Sequence, residues 1–187
     1  MRPFAVTKKT GFEILDPLKP LTIRDERGIL FYTTEPLTKK PNCFNMPPLG
    51  RFFIEDGNGI APLEKPLSYN LDTRYMNLPR RHESDPSEFK VEFGPNPNKC
   101  TVKWDDRIIL FDNMFFERPL PQAFFILYHE FAHAFSNDEA ICDILAGNMM
   151  KEKGFNPSQI GSASINALSS RQTARKQQLV NSLVGNQ

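Results

Sequence analysis

Sixteen prolines stand in this chain of 187 residues, and all but Pro157 fall between Pro3 and Pro121. Proline fixes φ and lacks an N–H, so it interrupts helix interiors and central strands alike. The first two thirds are therefore expected as short strands and turns, and helices are expected in the last third. The fold class that follows is α+β: a strand-rich N-terminal part with a small antiparallel sheet, then a helical part. The length suffices for one core. Residues 1–170 are expected as a single domain, and 171–187 as a polar helix or tail.

Charge excludes several classes of function. Lys plus Arg number 23 against 22 Asp plus Glu, a formal net charge of +1. A nucleic-acid or membrane-surface binder normally carries a basic excess. No apolar run approaches the roughly 18 residues of a membrane span, and Met1–Phe12 lacks the apolar stretch of a secretory signal. Cys43, Cys100 and Cys142 form no CxxC pair. A reduced, cytoplasmic setting is expected, with association with a virion as the alternative.

Apolar runs at Leu21–Ile23, Ile29–Thr33 and Arg51–Glu55 read as strands, closed by turn sequences such as Asp56-Gly57-Asn58-Gly59. Residues 88–116 read as a small antiparallel meander ending in Arg107–Phe111. Pro119-Leu120-Pro121 opens a helix, since the first turn does not need the missing N–H. That helix is predicted over Pro121–Phe135 and is apolar nearly all round, as befits the domain centre. A second helix is expected from Asn137 or Asp138 to Lys153, and a third from Asn156-Pro157 to about Ser169.

Four side chains in the first helix break its apolar character: Tyr128, His129, Glu130 and His133. His129-Glu130-Phe131-Ala132-His133 is an HExxH sequence. Residues i and i+4 share a helix face, so both imidazoles can reach one metal ion. Glu130 lies about a hundred degrees round from His129, where it can touch a water on that ion without being a ligand. By chance alone such a sequence arises in a chain this long on the order of once in a few hundred. Three ionisable groups buried together without a metal would cost several kcal/mol, which weighs against plain packing.

A catalytic zinc site needs a third protein ligand and one open position. Glu139 and Asp143 are four residues apart and share a face of the second helix. A tight turn at Ser136-Asn137 would bring that face to the histidines. Glu139 is the expected ligand, with Asp138, Asp143 and His82 as alternatives. Asp143 is expected to accept the second ring N–H of a ligating histidine. Tyr69, Tyr75, Arg80, Arg81 and His82 are candidates for stabilising an oxyanion. Cys43 and Cys142 are read as structural thiols.

HExxH followed by Glu139-x-x-x-Asp143 resembles the zincin metallopeptidases, most closely the gluzincin type, over residues 88–154. The resemblance implies one Zn²⁺ held by His129, His133 and Glu139, with Glu130 as general base. It also implies a substrate-pairing edge strand, to which Arg107–Phe111 corresponds. Glu139 follows His133 by six positions, a shorter spacing than gluzincins generally show. It matches the metzincin HExxHxxGxxH pattern instead, with Ser136 at the glycine position and Glu139 at the third histidine.

The expected activity is zinc-dependent hydrolysis of peptide bonds in a peptide or protein substrate, with no nucleic-acid or membrane partner. A protein partner could use the C-terminal tail. The alternative is a non-catalytic structural or assembly protein, for example a virion component, with a vestigial zinc site closed by a fourth ligand such as Asp143 or His82.

Overall fold

The computed structural model describes residues 1–34, 43–68, 75, 78–82, 86–168 and 172–184. The chain is α+β, and it divides into two compact units, Met1–Tyr69 with Lys151–Gln159, and Asn70–Met150 with Ile160–Gln187.

Among the described residues, the first unit contains seven strands: β1 (Arg2–Val6), β2 (Thr10–Ile14), β3 (Leu21–Asp25), β4 (Leu30–Thr34), β5 (Cys43–Met46), β6 (Gly50–Ile54) and β7 (Ile60–Pro62). They form two antiparallel sheets, ordered β1-β6-β3-β4 and β5-β2-β7. Alternation works as expected in β3, where Leu21, Ile23 and Asp25 are buried and Thr22 and Arg24 are not. Asp25 is the polar member of that face. Its carboxylate accepts N–H bonds from Arg27 and Ile29 and is gripped by the Arg27 guanidinium at 2.8 Å. Those bonds close the turn to β4 with Gly28 at φ +77°. Phe12, Phe31, Phe44 and Phe52 fill the core of the unit, and Phe155 joins Phe31 there with centroids 6.2 Å apart.

The second unit opens on a short 3₁₀ turn, Pro86–Glu88, and strands β8 (Lys90–Phe93), β9 (Cys100–Lys103) and β10 (Ile108–Phe111). The antiparallel meander expected over 88–116 is corrected here. The order is β8-β10-β9, with β10 parallel to β8 and antiparallel to β9. The loop at Gly94–Lys99 passes over the end of β10 instead of turning back on β8. It is held there by Asn96 Nδ2 donating to Leu110 O at 2.8 Å and by Gly94 N–H donating to Phe111 O at 3.0 Å. β10 therefore lies in the middle and is not the edge strand that the resemblance implied. Its sequence Ile-Ile-Leu-Phe is apolar on both faces, as a central strand requires.

After a second 3₁₀ turn at Phe115–Glu117 come α1 (Leu120–Ala132), α2 (Glu139–Lys153), α3 (Pro157–Ala167) and α4 (Thr173–Val184). α1 packs along β9 and buries Ala123 and Ile126 against Cys100, Val102, Ile109 and Phe111. It ends three residues before Phe135 because its last turn tightens. The N–H groups of His133, Ala134 and Phe135 donate to the carbonyls three residues back, at 3.2, 3.1 and 2.9 Å. Asp138 caps α2, its Oδ1 accepting from Ala140 N at 2.9 Å and Ile141 N at 3.1 Å. Among the described residues no helix is long and apolar enough to cross a membrane.

Candidate metal centre

The end of α1 and the start of α2 bring His129, His133 and Glu139 together, with one ligand atom from each within 4.8 Å of the others. His129 Nε2 is 3.2 Å from Glu139 Oε2, and His133 Nε2 is 3.6 Å from Glu139 Oε1. Ligands about 2.0–2.1 Å from a tetrahedral ion stand about 3.4 Å apart. Each histidine thus stands at about that distance from one of the two Glu139 oxygens, and the three side chains are close enough together to hold one ion.

The opposite ring nitrogens are also placed for that role. His133 Nδ1 is 3.1 Å from Ser136 O. That carbonyl can only accept, so Nδ1 carries the proton and Nε2 keeps its lone pair. Burial, and then the neighbouring His129, holds His133 below the usual imidazole range, which favours this neutral form. His129 Nδ1 is buried and lies 2.8 Å from Asp143 Oδ1. The carboxylate approaches off the ring N–H axis, so the contact is chiefly electrostatic. Cys142, between Glu139 and Asp143 on α2, is fully buried, with Sγ 3.3 Å from Ser136 O and 3.4 Å from His133 Nδ1.

Asp143 has no solvent exposure and is neutralised by Arg175 of α4. Nε and Nη2 donate to its two oxygens at 2.8 and 2.9 Å, while Nη1 lies 3.1 Å from Glu139 Oε2. One guanidinium thus holds both Glu139 and Asp143. Arg175 sits in the segment expected as a polar helix or tail, which is the helix α4, and sequence reasoning missed its part in the site. The available signal was Asp143 itself, since a carboxylate buried at the core of a helix pair needs a cation.

Glu130 faces the same cleft. Burial pushes its carboxyl up to about 7, opposed by His129 and reinforced by Glu139, while the main-chain N–H of Val102 in β9 bonds it and favours the ionised form. The cleft has a volume of about 670 Å³, and its lining includes Lys99, Phe125, Glu130, Gln172 and Arg175 besides the three ligand candidates. Lys99 has a left-handed backbone, φ +70°, and its Nζ donates to Ala167 O at 2.8 Å.

The other sequence candidates lie elsewhere. Asp138 spends its carboxylate on the α2 cap. His82 stacks on Trp104, centroids 4.8 Å apart and planes 4° from parallel. His82 and Arg80 line a separate, mostly apolar cavity of about 310 Å³ with Leu127, Tyr128 and Phe131. Arg81 donates to Asn137 Oδ1, and Tyr75 packs against the Ala132, Cys142 and Leu145 cluster. Tyr69 lies outside the described residues.

Comparison with protein-family models, curated proteins and solved structures returns no match for this chain.

Proposed function

We propose that the chain is a zinc-dependent metallopeptidase of zincin type, with His129, His133 and Glu139 as ligands and Glu130 as general base. The observation that carries this reading is the His129, His133 and Glu139 cluster, with one ligand atom of each within 4.8 Å of the others, set beside the half-buried Glu130 carboxyl in an open cleft. When bound, zinc would supply Lewis acidity, acidifying a water and polarising a carbonyl oxygen. Glu130 takes the proton of the attacking water and passes it to the leaving amine nitrogen as the C–N bond breaks. The Val102 N–H fixes its orientation. Arg175 keeps Glu139 and Asp143 in place, and the Asp143 carboxylate lies beside His129 Nδ1, where its charge favours a proton on that nitrogen and leaves Nε2 free for the metal.

The structural-zinc alternative needs a fourth protein ligand, and the two named for it are engaged elsewhere. Both oxygens of Asp143 face Arg175, and His82 lies on Trp104. This favours an open position and therefore catalysis. The substrate class is an extended peptide or protein segment, without nucleic acid or membrane. The proposed compartment is reducing and cytoplasmic, in keeping with the buried thiols Cys100 and Cys142. The test is incubation of zinc-loaded protein with a complex peptide library, read by mass spectrometry. New peptide termini, absent with Glu130→Gln, are expected; identical termini with both proteins would contradict the reading.

A further inference from the structure

The three-stranded sheet of the second unit is covered unevenly. α1 lies along β9, and Ile109 and Phe111 of the central strand are 7% and 4% exposed. The parallel register sets Val91 beside Ile109 and Phe93 beside Phe111, so all four side chains share one face. Yet Val91 and Phe93 are 47% and 56% exposed. Phe93 rests on Phe111 and on Phe116, centroids 5.9 and 5.7 Å away, and Phe116 is itself 51% exposed.

β8 is also an edge of its sheet. Lys90 N–H donates to Arg107 O and Gly94 N–H to Phe111 O. Donors alternate along a parallel ladder, so the main-chain groups of Val91 and Phe93 face outward from β10. An edge strand with large apolar side chains beside it is a template for pairing.

We propose that this edge pairs with the β8 edge of a second copy of the chain, antiparallel about a two-fold axis at Val91. In that register Val91 faces Val91 of the second copy, and the outward main-chain groups exchange two hydrogen bonds. Lys90 then faces Glu92 of the second copy, and Glu92 faces its Lys90. Within one chain these two side chains already pair at 2.8 Å, so four charges alternate in sign across the axis. Sliding by two residues, to an axis at Lys90 or Glu92, sets like charges directly opposite. The charge sequence is therefore complementary to itself in one register. The same pairing brings the Val91, Phe93 and Phe116 patches of both copies together on one face of a continuous six-stranded sheet. This inference is independent of the metal reading.

Analytical ultracentrifugation of the full chain over about 1–500 µM tests it. The wild type is expected to rise with concentration to twice the 21.4 kDa chain mass. Lys90→Glu and Glu92→Lys should each weaken association about tenfold, and the combined swap should restore it. Phe93→Ser should weaken all forms, with circular dichroism verifying the fold. A wild type that stays at the monomer mass throughout would overturn the proposal and leave the edge to a different partner. A dimer indifferent to both single swaps would overturn it too, placing the interface elsewhere.

Discussion

Arg175 grips Asp143 through two parallel hydrogen bonds of 2.8 and 2.9 Å, across 32 residues of sequence. The pair ties the last helix to the helix that carries Glu139, and Leu179 of the same helix is buried to 1% exposure. α4 is thus part of the site's frame. Arg175→Ala leaves a buried carboxylate unpaired and is expected to destabilise the protein by about 3–5 kcal/mol. Arg175→Ala combined with Asp143→Asn should recover much of that loss. Urea unfolding of the two variants checks both statements; equal stability of wild type and Arg175→Ala would contradict the first.

Glu130→Gln keeps the shape of the side chain and removes the base. Zinc stoichiometry is expected to stay at one, while turnover on any peptide identified as substrate falls by about 10²–10⁴. Loss of bound metal together with turnover would instead make Glu130 a ligand.

The pH dependence of the metal-free protein follows from the same carboxyl. Glu130 titrates near 7 in the fold, above its unfolded value near 4.5, so the fold favours its protonated form. Its contribution is complete below the unfolded value and is lost as pH rises through 7. Relative to Glu130→Gln, the wild type should lose roughly 2–3 kcal/mol of stability between pH 4.5 and pH 8.5. Parallel denaturant curves over that range measure the difference. A difference independent of pH would contradict the burial of Glu130.

Cys100 and Cys142 are fully buried, and burial pushes both thiols up, Cys142 to about 12. Alkylation reacts with thiolate, so at pH 8 the native protein should modify both sites orders of magnitude more slowly than the denatured protein. Peptide mapping after a timed iodoacetamide pulse resolves each site; rapid native labelling of Cys142 would mean that the α1–α2 junction opens readily.

What could be read from the sequence was local. The turn signal at Asp56–Gly59 closes β6, and Pro119-Leu120-Pro121 marks the start of α1. The HExxH pair is legible because i and i+4 meet within one helix, and Glu139 with Asp143 because they share a face of the next. The site's remaining frame depends on contacts distant in sequence. β1, β2, β5 and β7 are short segments whose pairing decides that they are strands. The order β8-β10-β9 depends on a loop crossing a strand end, which the Gly94–Asn98 composition marks as irregular without giving its path. Asp143 signalled the need for a cation but not which one: α4 is polar apart from a few apolar residues, and only its docking shows that the Arg175 guanidinium faces inward.

Zinc titration of the metal-free protein, read by a competing chromophoric chelator, tests the central claim most directly. One ion per chain is expected, with His129→Ala, His133→Ala and Glu139→Ala each weakening binding by about a hundredfold or more and Glu130→Gln leaving it intact. A wild type that binds no zinc, or a His133→Ala variant that binds it as tightly as the wild type, would contradict the account.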